Sequence, residues 1–300
     1  CYEILLTRIF SIIQWQNLAS VVISLALLGF GASGTFLTIS QSRIEKRFPL
    51  YFQGSLLLFP VTLCLGFVLF CKTPFNPFEI GIDRREWLYL LSYFVSTGIP
   101  FFFGAAVIGM ALSRFPISST YFLNLAGSSA GAITVILLSF LFHPHRILLI
   151  ITALTFATAV LFCLNFRKGL WVPLLAISLI FVTGFYFSFD WLNLRQMSPY
   201  KPLSRALLLP HARIVAERYS PLGLVQATEA EGFHYSGDLS LLCPYQVPTQ
   251  MAIFYDGDSP SAVIPFDGKL QKIGYLDYLP SSLPYHLLSP AAGQRAFIVG

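Results

Sequence analysis

Apolar residues run in long blocks over the first two-thirds of the chain, and polar residues gather in short gaps between them. Segments 18–39, 50–70, 88–112, 120–142, 147–166 and 170–189 each approach the ~20 apolar residues that a membrane-spanning helix needs. Residues 1–6 (CYEILL) read as the tail of a further helix. Breakers and charges fill the gaps, as in SRIEKRFP at 42–49, KTPFNPFEIGIDRRE at 72–86 and HPHR at 143–146. Connections this short predict antiparallel packing of neighbouring helices.

Near residue 190 the pattern changes to that of a water-exposed, β-rich segment. Runs at 212–216, 223–227, 251–255 and 262–266 are short enough for strands, with turn signals SPLG, DGDSP and DGK around them. Asp-Gly at 256–257 and at 267–268 each signals a hairpin. Residues 228–247 read as an irregular loop. Pro280 and Pro284 limit 275–288 to a turn and a short helix. RAFIVG at 295–300 is a short apolar run meeting a glycine, as at the opening of a nucleotide-type α/β fold. The expected architecture is an α-helical polytopic membrane region at 1–189 and a small antiparallel β module at 190–295. Residues 296–300 are then the first strand of a Rossmann-like α/β methyltransferase fold.

Composition strengthens this picture. Hydrophobic residues are 55% of the chain and charged residues 11%, against about 25% charged in a soluble domain. Mean hydropathy is +0.69. The net charge of +5 arises in the apolar part: residues 1–189 hold 11 Lys/Arg and 5 Asp/Glu, and residues 190–300 hold 8 and 9. Bases in short loops between apolar runs meet lipid headgroups. No basic stripe marks the soluble part, so nucleic acid is not an expected partner. The lipid bilayer is, while association into a homo-oligomer stays open. Basic residues divide five against six between the two sides of a six-span layout and leave sidedness undecided. The five cysteines are scattered without a CxxC, as small buried hydrophobes are. The chain opens at Cys1 without a leader pattern, which reads as a cut.

Several motifs look sharper than they are. Gly29, Gly31 and Gly34 spell GxGxxG, but they lie inside an apolar span rather than between a strand and a helix. Close helix packing is the expected use of all three. The same holds for Gly127 and Gly131, with Asn124 expected to hydrogen-bond a neighbouring helix. His143 and His145 offer two nitrogens without a third ligand nearby, as in a solvated interfacial loop. No span carries an acidic residue at its middle, which argues against an ion-coupled pump. In the soluble part, Asp277 lies among aromatic rings in YLDY, where a carboxylate can hold a cationic amine or cap a helix. Tyr275, Tyr278 and Tyr285 either line an apolar pocket or form the core of the β module.

Together these residues resemble a known family. ARIVAERYSPLGLVQATEA (212–230), MAIFYDGDSPSAVIPFDG (251–268), YLDYLPSSLPYHLL (275–288) and AFIVG (296–300) resemble the N-terminal β module and first Rossmann strand of spermidine synthases. The likeness is closer to the membrane-fused members, whose first helices YEILLTRIFSI, SLALLGFGASGTFL and YFLNLAGSSAG are similar to. Gly223 and Leu276 stand where that family carries a turn Gln and the His of Tyr-His-Glu. The resemblance implies an integral membrane protein, in a bacterial inner membrane with the soluble part cytoplasmic. It implies transfer of an aminopropyl or methyl group to a small amine, from decarboxylated S-adenosylmethionine or S-adenosylmethionine. Tyr275, Asp277 and Tyr285 would bind the acceptor, and Gly300 would open the donor loop, so that residues 1–300 alone are expected to be inactive. The alternative from another class is a membrane transporter or scaffold with a degenerate soluble binding module.

Overall fold

A computed structural model describes residues 1–14, 16–165, 176, 179–180, 183–185, 197–264 and 266–287. The expected span at 170–189 is described at only a few positions, all of them helical, and the expected strand at 296–300 lies outside the described residues. The chain divides into two compact units, Cys1–Lys201 with Tyr219–Leu224, and Pro202–Arg218 with Val225–Gly300.

The first unit is helical: α1 (Tyr2–Ile13), α2 (Gln16–Ala19), α3 (Val21–Ile39), α4 (Gln41–Lys46), α5 (Phe48–Lys72), α6 (Arg85–Arg114), α7 (Ile117–Leu138) and α8 (Pro144–Asn165). Among the described residues, five helical stretches are long and apolar enough to cross a membrane: Gln16–Ile39, Phe48–Lys72, Arg85–Arg114, Ile117–Leu138 and Pro144–Phe162. They match the first five expected spans and point to a membrane-associated chain. Proline marks the starts of three of them, with Pro49 in the first turn of α5, Pro116 just before α7 and Pro144 opening α8. A first turn has no use for the amide proton that proline lacks. Pro60 and Pro100 lie inside α5 and α6 and are buried. Helices in an apolar bundle tolerate such breaks because their neighbours surround the interrupted turn.

Residues 1–6 are helical from Tyr2 onward, in line with the helix expected there. They begin α1, whose Leu5, Leu6, Ile9 and Phe10 are at most 2% exposed and share the main core with Leu63, Phe70, Tyr93 and Ile147. The carbonyls at its C-terminal end find buried donors. Lys201 Nζ donates to the carbonyl of Ser11 at 2.6 Å, and the amide of Ser198 to that of Ile13 at 2.8 Å. Beside them, Gln14 Nε2 donates to the Tyr93 hydroxyl at 2.7 Å, which donates to the Thr73 carbonyl at 2.9 Å.

α6 packs against α3 and α5, and glycine permits both approaches. A methyl on Gly29 would meet Phe101 Cβ at 2.6 Å, and one on Gly66 would strike the Ser96 carbonyl. At Gly31 and Gly34 an added methyl would meet nothing within 4 Å, so only the first glycine of the GxGxxG packs a helix. Gly127 is equally open, Gly131 faces the Cys1 side chain, and Val135 alone is buried on α7. Asn124 makes no side-chain hydrogen bond among the described residues. The expectation that all these small residues pack helices together thus fails at Gly31, Gly34 and Gly127: one face of each helix is outward, and those positions fall on it. His143 and His145 are half-buried and stack on each other with ring centroids 5.5 Å apart, rather than standing in an open loop.

After Lys201 the chain forms α9 (Pro202–Ala206) and a four-stranded antiparallel meander in the order β1 (Arg213–Tyr219), β2 (Leu224–Glu229), β3 (Met251–Tyr255) and β4 (Asp258–Val263). Gln226 faces Phe254 and Thr228 faces Ala252 across the β2–β3 pair, and all four are buried. Asp256 and Gly257 close the β3–β4 hairpin with φ of 51° and 71°. Both central residues of such a tight turn need positive φ, which Asp-Gly supplies. β4 therefore starts at Asp258, four residues before the expected strand. Asp-Gly at 267–268 closes no hairpin. Asp267 instead accepts from the Lys269 amide at 3.1 Å and pairs with Lys272 at 2.7 Å, which turns the chain into the 3-10 helix Leu270–Tyr278. Those two donors, Lys272 first, hold the Asp267 carboxyl below the usual carboxylate range. A 3-10 turn at Pro280–Ser282 and α10 (Leu283–Leu287) follow, as the prolines predict.

Two outcomes follow for thermal unfolding of the full-length protein in detergent. Gly66→Val should cost about 1–3 kcal/mol by overpacking, with a clear drop in Tm, whereas Gly31→Val should leave Tm unchanged. Lys201→Met should also lower Tm, since a buried carbonyl left without its donor costs about 1–3 kcal/mol.

Candidate functional site

The four strand ends on one side of the sheet surround a cavity of about 720 Å³. Antiparallel order brings the start of β1, the end of β2, the start of β3 and the end of β4 to the same edge. Arg213, Glu229 and Glu231 supply the charge there, and Ala230, Met251 and Val263 supply apolar wall. Arg213 and Glu229 face each other across β1 and β2 and pair at 3.1 Å, both largely exposed. A solvated pair of this kind stabilises little, which leaves its groups available to a ligand. His211 at the cavity rim is held at a φ of 57°, where non-glycine residues are uncommon. The sum of Arg213 against Glu229 and Glu231 is one negative charge, so the chemistry of the cavity suits a small cationic molecule with an apolar stem.

Gln250 forms the back of this cavity and connects it to the predicted site. It is 3% exposed. Its Oε1 accepts from the Tyr235 amide at 2.9 Å, and its Nε2 donates to the Tyr275 hydroxyl at 2.8 Å. Tyr275 is fully buried and belongs to the core of the β unit, the second of its two expected uses. Burial holds its phenol above the usual range, against the opposing effect of the Gln250 hydrogen bond. Asp277 is exposed near the end of the 3-10 helix, where its backbone carbonyl accepts from Ser282 Oγ at 2.8 Å. Tyr285 is 66% exposed. Tyr275 is thus separated by burial from Asp277 and Tyr285, because successive residues of a 3-10 helix point to different sides. Gly300 lies outside the described residues.

Sequence reasoning missed His211, Arg213, Glu229, Glu231 and Gln250. Register was the missing information: Arg213 lies within the expected run 212–216, and Glu229 meets it only because β2 extends past the run 223–227 that marked it. The loop expected at 228–247 begins only after Glu229, where β2 ends; it is irregular, yet it is pinned. The Gln250 amide donates to the Phe233 carbonyl at 3.1 Å, and His234 Nδ1 lies 2.9 Å from the Val247 carbonyl oxygen. No group of three or more metal-ligating side chains occurs among the described residues. Comparison with family models, with curated proteins and with solved structures gives no match to this chain.

Removing the Tyr275 hydroxyl isolates its structural share. Tyr275→Phe leaves the Gln250 amide without its acceptor and should cost about 1–3 kcal/mol in unfolding experiments. Because the folded-state phenol titrates above its unfolded value of about 10, its contribution is complete below that pH and is lost as pH rises toward the raised value. The alkaline fall in stability should accordingly flatten in Tyr275→Phe.

Proposed function

We propose that this chain is the membrane-embedded and β-module part of an S-adenosyl-dependent group transferase of the spermidine-synthase type. The observation that carries the reading is the four-stranded meander at 213–263, followed by short helices at 270–287, in the order the resemblance implies and after five apolar spans. The acidic cavity at the strand ends is in keeping with a cationic acceptor. The Rossmann-like fold, its donor site at and beyond Gly300, and a bacterial inner membrane with the soluble part cytoplasmic all rest on the resemblance.

In the proposed reaction, the lone pair of a deprotonated amine attacks the carbon beside the donor sulfonium. The carbon–sulfur bond breaks with its electron pair going to sulfur, which leaves as a neutral thioether. The proton lost by the new ammonium goes to a base or to water. Such a displacement is accelerated by alignment and by a pocket that excludes competing water. Asp277, exposed and close in sequence to the donor segment, would hold the acceptor's second cationic centre.

The test uses the full-length protein in lipid nanodiscs, supplied in turn with S-adenosylmethionine or its decarboxylated form and with a diamine. Formation of the demethylated or the deaminopropylated thioether, dependent on the amine, is the expected result. In that protein Asp277→Asn should weaken amine binding by about tenfold or more, the loss of one charge-assisted hydrogen bond, with donor binding unchanged. Absence of turnover and of donor binding in a folded preparation would favour a transporter or scaffold instead.

A further inference from the structure

A second cavity, of about 870 Å³, lies at one end of the helical unit. The last turn of α3, the short α4, the start of α5 and the last turn of α6 enclose it. Leu37, Ile44, Phe48 and Met110 form its apolar part, continuous with the small core cluster around Ile44 and Met110. Its polar part is Gln41, Glu45 and Arg114. Glu45 is engaged, since Gln41 Nε2 donates to its Oε1 at 2.9 Å. The Arg114 guanidinium is exposed, with no hydrogen bond or ion pair among the described residues. Arg43, Lys46 and Arg47 stand on α4 and at its end, all exposed, so this corner holds four cations against one carboxylate.

The level of the cavity along the helices decides what fits it. Ile39 at the end of α3 is 79% exposed and Ile117 at the start of α7 is 71% exposed. Apolar, outward-facing span residues thus give way to arginine and lysine at this point. That transition is the signature of the headgroup level, and basic pockets between spans at that level bind anionic headgroups. A free anion would use the guanidinium and leave the apolar floor unfilled. A phospholipid uses both.

We propose that this cavity binds one anionic phospholipid, with its phosphate on Arg114 and its glycerol and upper acyl segments against Leu37, Ile44, Phe48 and Met110. Neither the transferase reading nor any donor is needed for this assignment, so the two stand or fall separately.

Native mass spectrometry of the full-length protein, extracted in mild detergent with equal phosphatidylglycerol and phosphatidylcholine, tests it. The expected result is retention of one phosphatidylglycerol in preference to phosphatidylcholine. Arg114→Gln should lower that retention about tenfold, the scale of one charge-assisted contact. Ser113→Trp, which fills the cavity from an exposed position and keeps the arginine, should do the same. Arg84→Gln, at the opposite end of α6, should change nothing. Melting curves that match the unaltered protein establish that the variants are folded. Equal retention of both lipids, or unchanged retention in Arg114→Gln, would overturn the proposal. So would retention that survives Ser113→Trp, which would make the contact one of surface charge alone. Displacement of the lipid by millimolar inorganic phosphate would assign the site to a free anion.

Discussion

A helix end that is buried in the protein must have its last carbonyls satisfied from within, because water does not reach them. α1 imposes that constraint here. Its Leu5, Leu6, Ile9 and Phe10 are enclosed on all sides. The Ser11 and Ile13 carbonyls are met by Lys201 and Ser198, residues about 190 positions away in the chain. A lysine at that place also complements the negative end of the helix dipole, since α1 carries no basic residue in its own last turn. The lysine is 4% exposed, and a buried charge needs such partners to be tolerated at all. The return of the chain to α1 after its long excursion through the spans is therefore part of what completes the helical unit.

The polar chain beside it does the same for side chains. Tyr93 is completely buried between Phe10, Phe70 and Phe75, with ring centroids 4.8 to 6.5 Å from its own. Its hydroxyl accepts a hydrogen bond from Gln14 Nε2 and donates one to the Thr73 carbonyl. α1, α6 and the end of α5 are thus tied by one short relay. Glu86 plays a similar part at the start of α6. It is 5% exposed and accepts from the Asn76 amide at 2.7 Å, at the helix end where a carboxylate is favoured. In each case a polar group inside the apolar unit fixes a helix end.

The spans were legible because their signal is composition over some 20 residues, which no tertiary contact can reverse. Their packing was not. Gly29 and Gly31 lie two residues apart in the same motif, yet one touches α6 and the other faces outward. A motif names the small residue but not the angle at which its helix faces a neighbour. Burial of α1 escaped for the same reason: CYEILL is apolar enough for lipid and for a core alike. In the β unit the Asp256-Gly257 turn could be read directly, because positive φ restricts the residues that fill it. Asp267-Gly268 has the same letters, but its carboxylate accepts from the Lys269 amide and pairs with Lys272 at the start of a 3-10 helix.

The candidate site divides along the same line. Tyr275 was singled out for its neighbours in sequence, and its partner proves to be Gln250, which no motif marked. Gln250 spans both possibilities that the tyrosine raised. Its two amide ends are taken up by Tyr235 and Tyr275, while its side chain backs the cavity where Arg213 and Glu229 meet. A buried amide with both ends engaged has one orientation available, and a half-satisfied alternative would be costly. The core tyrosine thereby sets the geometry of a polar cavity it does not itself line. Its position in the sequence is informative about the site, but through the residue it holds in place rather than through a contact of its own.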